Sequence, residues 1–307
     1  MSLNLPKPIK NNSTIGLLCP AGGFDDYKPI KLVIKYLKSI GYKVKTGKHL
    51  LSSKKDYKYL SGTDKQRLSD FMSLWADKDV DAIFCLRGGY GSLRLINDID
   101  FNVIRKNKKI ILGFSDITVL LLAIFAKTNL VTFHGPLLGY SFLKGKPRGD
   151  TLCSIETIWK VLRNPQFQFA YEANSVVVYP GRVEGTLLGG NLTDICSMIG
   201  SGFLPSFKDS ILFLEDVYEE PYRIDRLLTQ LLNAKIFNQA KALIFSSFEK
   251  CKFGSKKDIV KLINDRVGNL NKPIVFNLPV GHGAKNYVVP IGRKVLLDTN
   301  NLILKSI

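Results

Sequence analysis

Lys109-Ile-Ile-Leu-Gly-Phe-Ser115-Asp-Ile-Thr-Val-Leu-Leu-Leu-Ala-Ile-Phe125 passes from a short apolar strand pattern straight into a helical one, with a serine at the junction. A brief apolar run feeding a longer apolar helix without a spacer is the pattern of a buried parallel strand and its crossover. The same alternation continues upstream. Ser13 to Cys19 reads as a buried strand closed by Pro20-Ala-Gly-Gly23, and Pro29 to Ile40 carries a helical stripe (Ile30, Val33, Ile34, Leu37, Ile40) that stops at Gly41. Lys43 to Thr46 reads as a strand, Asp64 to Ala76 as a helix and Val80 to Leu86 as a strand. Gly88, Gly89 and Gly91 then break the chain, a helix resumes over Ser92 to Ile96, and another covers Asp116 to Ala126. Strands alternating with amphipathic helices predict a doubly wound, mostly parallel sheet.

The second half differs. The pattern loosens around Gly145-Lys-Pro-Arg-Gly149 and Asn164-Pro165. We therefore expect a first α/β domain over 1–150, a linker over 151–170, and a strand-rich mixed α/β domain over 171–307, since single cores rarely grow past about 250 residues. In that half Ser175–Tyr179, Val183–Leu188, Ile211–Glu215, Ala242–Phe245, Ile274–Asn277, Lys294–Asp298 and Leu302–Leu304 read as strands, and Arg223–Leu232 and Lys257–Val267 as helices.

A 45% hydrophobic and 23% charged composition predicts a folded chain. The polar stretch from Met1 to Asn12 lacks the apolar core of a secretory signal, and Val119 to Ala126 is far shorter than the ~20 residues that span a bilayer. Neither export nor a membrane partner is expected. Cys19, Cys85, Cys153, Cys196 and Cys251 are odd in number and widely spaced, so they read as reduced thiols of a cytoplasmic protein, without disulfide framework or structural zinc. The net charge of +18 favours anionic partners. Its lysines are dispersed in pairs (Lys54-Lys55, Lys108-Lys109, Lys256-Lys257) without interleaved aromatics, so no specific nucleic-acid partner is expected.

Chemistry is suggested first at Ser115. A serine on a sharp strand-to-helix turn resembles the nucleophile elbow of α/β hydrolases, in which the amide after the serine faces the developing oxyanion. Gly113 stands two before the serine, but Ile117 stands where a second glycine would be. The alternative is that Ser115 only N-caps its helix. A base must come from three histidines. His49 lies in a Lys-rich loop and reads as surface; His134, in Val131-Thr-Phe-His-Gly-Pro136, ends a strand; His282, in Leu278-Pro-Val-Gly-His-Gly-Ala284, has glycines on both sides that free the backbone to aim it and is favoured. In Ser210-Ile-Leu-Phe-Leu-Glu215-Asp216 the two carboxylates face opposite ways on a strand, so one of them would orient the imidazole. Leu86-Arg-Gly-Gly-Tyr-Gly-Ser92 would cradle an anion or supply a second oxyanion amide, and it lacks the P-loop and dinucleotide fingerprints. Gly189-Gly190-Asn191 reads as a tight turn before a helix.

Arg87-Gly-Gly-Tyr-Gly91, Gly113-Phe-Ser-Asp116, Leu188-Gly-Gly-Asn191, Phe213-Leu-Glu-Asp216 and Gly281-His-Gly283, in this order, resemble the LD-carboxypeptidase (muramoyltetrapeptide carboxypeptidase) family, which includes the microcin C immunity peptidases. The resemblance implies a Ser115–Glu215–His282 triad with the amides of Gly89 and Asp116 as oxyanion hole, and no metal or cofactor. It implies a flavodoxin-like N-terminal domain, a cytoplasmic homodimer, and hydrolysis of the amide between meso-diaminopimelate and terminal D-Ala of murein tetrapeptide in peptidoglycan recycling. The microcin-type alternative hydrolyses a peptidyl-nucleotide with the same triad and clamps the nucleotide with an aromatic side chain, often Trp. Trp75 and Trp159 fall before the second domain, which leaves Tyr171, Tyr179 or Phe203 for that role. A non-catalytic binding protein using the glycine loops is the third reading.

Overall fold

Two sheets carry the chain, and the apolar runs of the first half build the first of them. The computed structural model describes residues 3–50, 57–164, 168–170 and 175–307; Tyr171, Pro165 and the Lys54-Lys55 pair lie outside these residues. The strands, in chain order, are β1 (Thr14–Leu18), β2 (Lys43–Thr46), β3 (Ala82–Cys85), β4 (Ile110–Gly113), β5 (Thr132–His134), β6 (Gln168–Ala170), β7 (Val177–Tyr179), β8 (Arg182–Asn191), β9 (Ser210–Val217), β10 (Ala242–Glu249), β11 (Ile274–Phe276), β12 (Val289–Ile291), β13 (Lys294–Asp298) and β14 (Ile303–Ser306).

In the first sheet β2, β1, β3, β4 and β5 lie side by side and parallel, the doubly wound order in which the strands on either side of β1 run to opposite edges. β12 closes it, antiparallel to β5. This strand comes from the far end of the sequence and has no counterpart among the expected ones. The second sheet runs β6-β14-β13-β8-β9-β10-β11-β7, with a parallel centre from β8 to β11 and antiparallel flanks. The fold class is therefore the α/β architecture expected, a mostly parallel sheet joined to a strand-rich mixed one.

The helix Thr118–Thr128 is apolar on nearly every side, and Thr118 through Ile124 are all buried. A helix with no polar face must be covered all round, and this one contacts β5 of the first sheet and β8 of the second. It pins the two sheets together directly behind Ser115.

Three local expectations change. Residues 151–163 of the expected linker belong to a 15-residue helix, Gly149–Arg163, whose face of Ser154, Ile155, Ile158, Val161 and Leu162 is buried; the loose Gly145–Gly149 stretch leads into it. The helix expected from Ser92 is a single 3₁₀ turn, Ser92–Arg94. Gly189 and Gly190 do not turn but sit inside β8, because a Cβ at 189 would lie 1.9 Å from the Phe213 carbonyl and one at 190 would lie 2.6 Å from Thr118. None of the described helices is long and apolar enough to cross a membrane.

Candidate active site

The carboxyl ends of β4 and β5 in the first sheet and of β9 in the second come together at one place. In open α/β sheets the carboxyl ends of the strands form the crevice where ligands sit, because the loops there diverge. Gly113 and His134 end β4 and β5, and Glu215 and Asp216 lie near the end of β9.

Ser115 has φ +62°, a left-handed conformation that a non-glycine residue adopts only under constraint. It is not a helix cap: Phe114 holds the N-cap position of the turn Ser115–Ile117, Ile117 holds that of the following helix, and neither end has a side-chain cap bond. The neighbouring residues explain the turn. A Cβ on Gly113 would stand 2.6 Å from Ile117 Cγ2, so the isoleucine occupies the space that glycine leaves open. A Cβ on Gly88 would stand 2.9 Å from Ser115 Cβ and 3.0 Å from its Oγ, so the glycine loop lies flat against the serine. Gly89, with φ +102°, follows in a conformation that side chains resist. Asp116 fastens this loop to the serine turn: its buried carboxylate accepts from the amides of Gly91 (3.1 Å) and Ser92 (2.9 Å). Burial raises the Asp116 pKa, against the bonds from Ser92 and Gly91.

Glu215 and His282 are brought together across 67 residues of chain. Glu215 is fully buried, and its Oε2 accepts from His282 Nδ1 at 2.6 Å and from the His282 amide at 3.2 Å. A carboxylate only accepts, so Nδ1 carries the proton and Nε2 keeps its lone pair. Burial alone would lift the Glu215 pKa, but the charge and hydrogen bond of His282 outweigh it and hold the group below its usual value. Burial likewise pulls on His282, and the charge and bond of Glu215 overcome it, raising the imidazole above its ordinary pKa. The backbone is shaped for this contact. Gly281 has φ +107°, and a Cβ there would stand 2.7 Å from Glu215 Oε2; its amide donates to Asn286 Oδ1 (2.9 Å), and that of Gly283 donates to Ser247 Oγ (3.1 Å).

Asp216 does something else. Its carboxylate accepts from Asn191 Nδ2 (3.1 Å), the Thr193 amide (3.0 Å) and Thr193 Oγ1 (2.8 Å), which fixes the start of the helix Leu192–Ser197. Burial, with the Glu215 charge adding, raises its pKa to about 6. His134 is also buried, packed against Phe114 and Phe213 at ring distances of 5.6 and 5.2 Å, and burial lowers its pKa to about 4. His49, read as a surface residue, is half-buried: its Nδ1 bonds Asp70 Oδ1 (2.8 Å) just after β2, the edge strand farthest from β5.

Phe114 was not singled out by sequence. Its ring lies 4.7 Å from that of His282, which joins the serine turn to the imidazole. Nothing local signals this, because the partner is 168 positions away. Phe114 and His282 line a cavity of about 450 Å³ together with Tyr140, Lys144, Arg148 and Lys250. Among the described residues no group of three or more His, Cys, Asp or Glu side chains could hold a metal ion. Trp75 is fully buried and Trp159 stacks on Tyr42 (4.9 Å), so neither lines this cavity.

The chain matches the family models described as LD-carboxypeptidase N-terminal domain over residues 15–135 and LD-carboxypeptidase C-terminal domain over residues 184–297. It is similar to the probable murein peptide carboxypeptidase of Bacillus subtilis (strain 168), at 34% identity over 303 residues, which cover 97% of this chain and 93% of that protein. It is similar to the murein tetrapeptide carboxypeptidase of Pseudomonas aeruginosa, at 32% identity over 298 residues and 94% of each chain. Among solved structures it resembles MccF in complex with glutamyl sulfamoyl guanosine, with a TM-score of 0.90, 26% identity and 98% coverage of both chains.

Proposed function

The chain belongs to the LD-carboxypeptidase family of peptidases, and we propose that it is a serine carboxypeptidase that releases terminal D-Ala from meso-diaminopimelate in murein tetrapeptide, in the cytoplasm and in the service of peptidoglycan recycling. The observation that carries this reading is the buried Glu215–His282 bond beside the strained Ser115 turn.

In the reaction His282 Nε2 takes the Ser115 hydroxyl proton as Oγ attacks the amide carbonyl. The tetrahedral oxyanion is met by the amides of Gly89 and Asp116. Collapse expels D-Ala, whose nitrogen takes the proton back from His282, and leaves an acyl-enzyme on Ser115 Oγ. A water deprotonated by the same imidazole then releases the tripeptide. Glu215 keeps the imidazole in the reactive tautomer and stabilises its protonated form. The leaving residue carries a free carboxylate, and Lys144, Lys146, Arg148 and Lys250 all line the 450 Å³ cavity, a cationic setting suited to it. Five unbridged thiols suit a reducing compartment.

Incubation with disaccharide-free tetrapeptide should yield a product lighter by one alanine, read by mass spectrometry. Ser115→Ala should lower kcat by about 10⁴-fold or more. Tetrapeptide left intact, with turnover of a peptidyl-nucleotide instead, would assign the chain to the microcin-type reaction; MccF's complex with a sulfamoyl guanosine is the reason to run that arm.

A further inference from the structure

A second, larger cavity of about 730 Å³ opens beside the first, at the carboxyl ends of β10 and β11. The two share Glu249, Gly283 and Ala284, so they meet at the loop that carries His282. One wall is the helix Lys256–Val267, which presents Lys257, Val260, Lys261 and Asn264 at the spacing of a single helical face. Phe248, Phe276 and Leu278 form an apolar wall. Ser246 also lines it: the residue is 3% exposed, and its Oγ is buried with no hydrogen-bond partner among the described residues. A buried hydroxyl without a partner costs about 1–3 kcal/mol, a cost removed when a ligand's polar group arrives. Two carboxylates line the cavity as well, Asp150 and Glu249, the latter at the junction with the first cavity.

We propose that this cavity is the acyl-side subsite, which takes the part of the peptide N-terminal to the scissile bond and holds the free carboxylate of its glutamate on Lys257 and Lys261, with Ser246 as a further donor. The proposal rests on the carboxypeptidase reading. The reasoning is positional. His282 lines the smaller cavity and the two residues after it, Gly283 and Ala284, line both, so a substrate cleaved there places its leaving residue in one and its acyl portion in the other. The leaving residue is a single amino acid, and the acyl portion is the longer piece. In murein tetrapeptide that portion carries a glutamate linked through its side chain, whose α-carboxylate is free, and methylene stems that match the apolar wall.

The test compares wild type with a Lys257→Ala/Lys261→Ala double variant, both substitutions being on exposed positions. For the tetrapeptide the variant should raise KM about tenfold, the loss expected for charge-assisted contacts, with kcat within twofold. For diaminopimelyl-D-Ala, which lacks the glutamate, KM should differ by less than twofold between the two proteins. An unchanged KM for the tetrapeptide, or an equal rise for both substrates, would overturn the subsite. Calorimetry with the product tripeptide needs no turnover and separates the two claims. Weaker tripeptide binding by the double variant and by Ser246→Ala supports the subsite even where no D-Ala is released, and equal binding by all three proteins rejects it.

Discussion

Ser115 holds a left-handed backbone that costs on the order of 1–3 kcal/mol, and the residues around it explain why the conformation persists. Gly113 lets Ile117 close over the strand end, Gly88 lets the glycine loop lie against the serine, and Asp116 bonds that loop to the turn. At the same scale, strand alternation separates two adjacent carboxylates: Glu215 reaches His282 while Asp216 caps a helix. This yields a pH prediction. In the proposed reaction His282 must be neutral to accept the serine proton, so activity should fall as pH drops through its folded pKa, which Glu215 raises. The acid limb of kcat/KM, which reports the free enzyme, should lie above the ordinary imidazole value of about 6.5. In Glu215→Gln the limb should move to lower pH and kcat should fall by at least about 10²-fold, since the tautomer is no longer fixed. Asp216→Asn keeps an oxygen to cap the helix and should move the limb less than Glu215→Gln does, because the Asp216 charge raises His282 only after the charge and bond of Glu215. A shift of the limb in Asp216→Asn with none in Glu215→Gln would reverse the assignment.

At the scale of elements, β8 and the helix Thr118–Thr128 determine whether the two sheets meet at all. Gly189 and Gly190 let β8 approach Phe213 and Thr118 more closely than any side chain allows, and the Asn191 amide then donates to Thr118 Oγ1 at 3.1 Å. Thr118→Val has nearly the same shape but leaves that buried amide unpaired. Its cost should be about 1–3 kcal/mol, measured as a lower midpoint of urea unfolding with an unchanged slope; a loss below about 0.5 kcal/mol would mean that the bond does not matter to the junction. The helix 149–163 belongs to the same scale. Its Ser154 Oγ accepts from the Asn286 amide (2.9 Å) and its Thr157 Oγ1 from the Val288 amide (3.1 Å), so the segment expected to be a linker is a strut under the His282 loop. Its apolar period is present in the sequence, but the reason for its position lies more than 130 residues away.

For the whole molecule, charge is the property that sequence reports most directly. A net +18 on a chain whose cavities are lined by several lysines should draw an anionic peptide from a distance. Because the Debye length shrinks from about 30 Å at 0.01 M to about 8 Å at 0.15 M salt, kcat/KM for the tetrapeptide should fall severalfold over that range, with kcat nearly constant. Salt-independent kcat/KM would remove long-range attraction from the account.

By itself the sequence determined the alternating strands and helices, the serine at a strand-to-helix junction and the glycines that permit close approach, because each is written in a period or a residue type within about fifteen positions. Only the tertiary structure decided which histidine meets which carboxylate. His134 ends a strand and His282 follows one. The register of β8 on β9 sets Glu215 beside Asn191 under the Gly281–Gly283 loop, and the packing of Phe114 and Phe213 encloses His134. Those contacts join residues tens to hundreds of positions apart, and no local pattern encodes such pairings; they exist only once both sheets have closed on the helix behind Ser115.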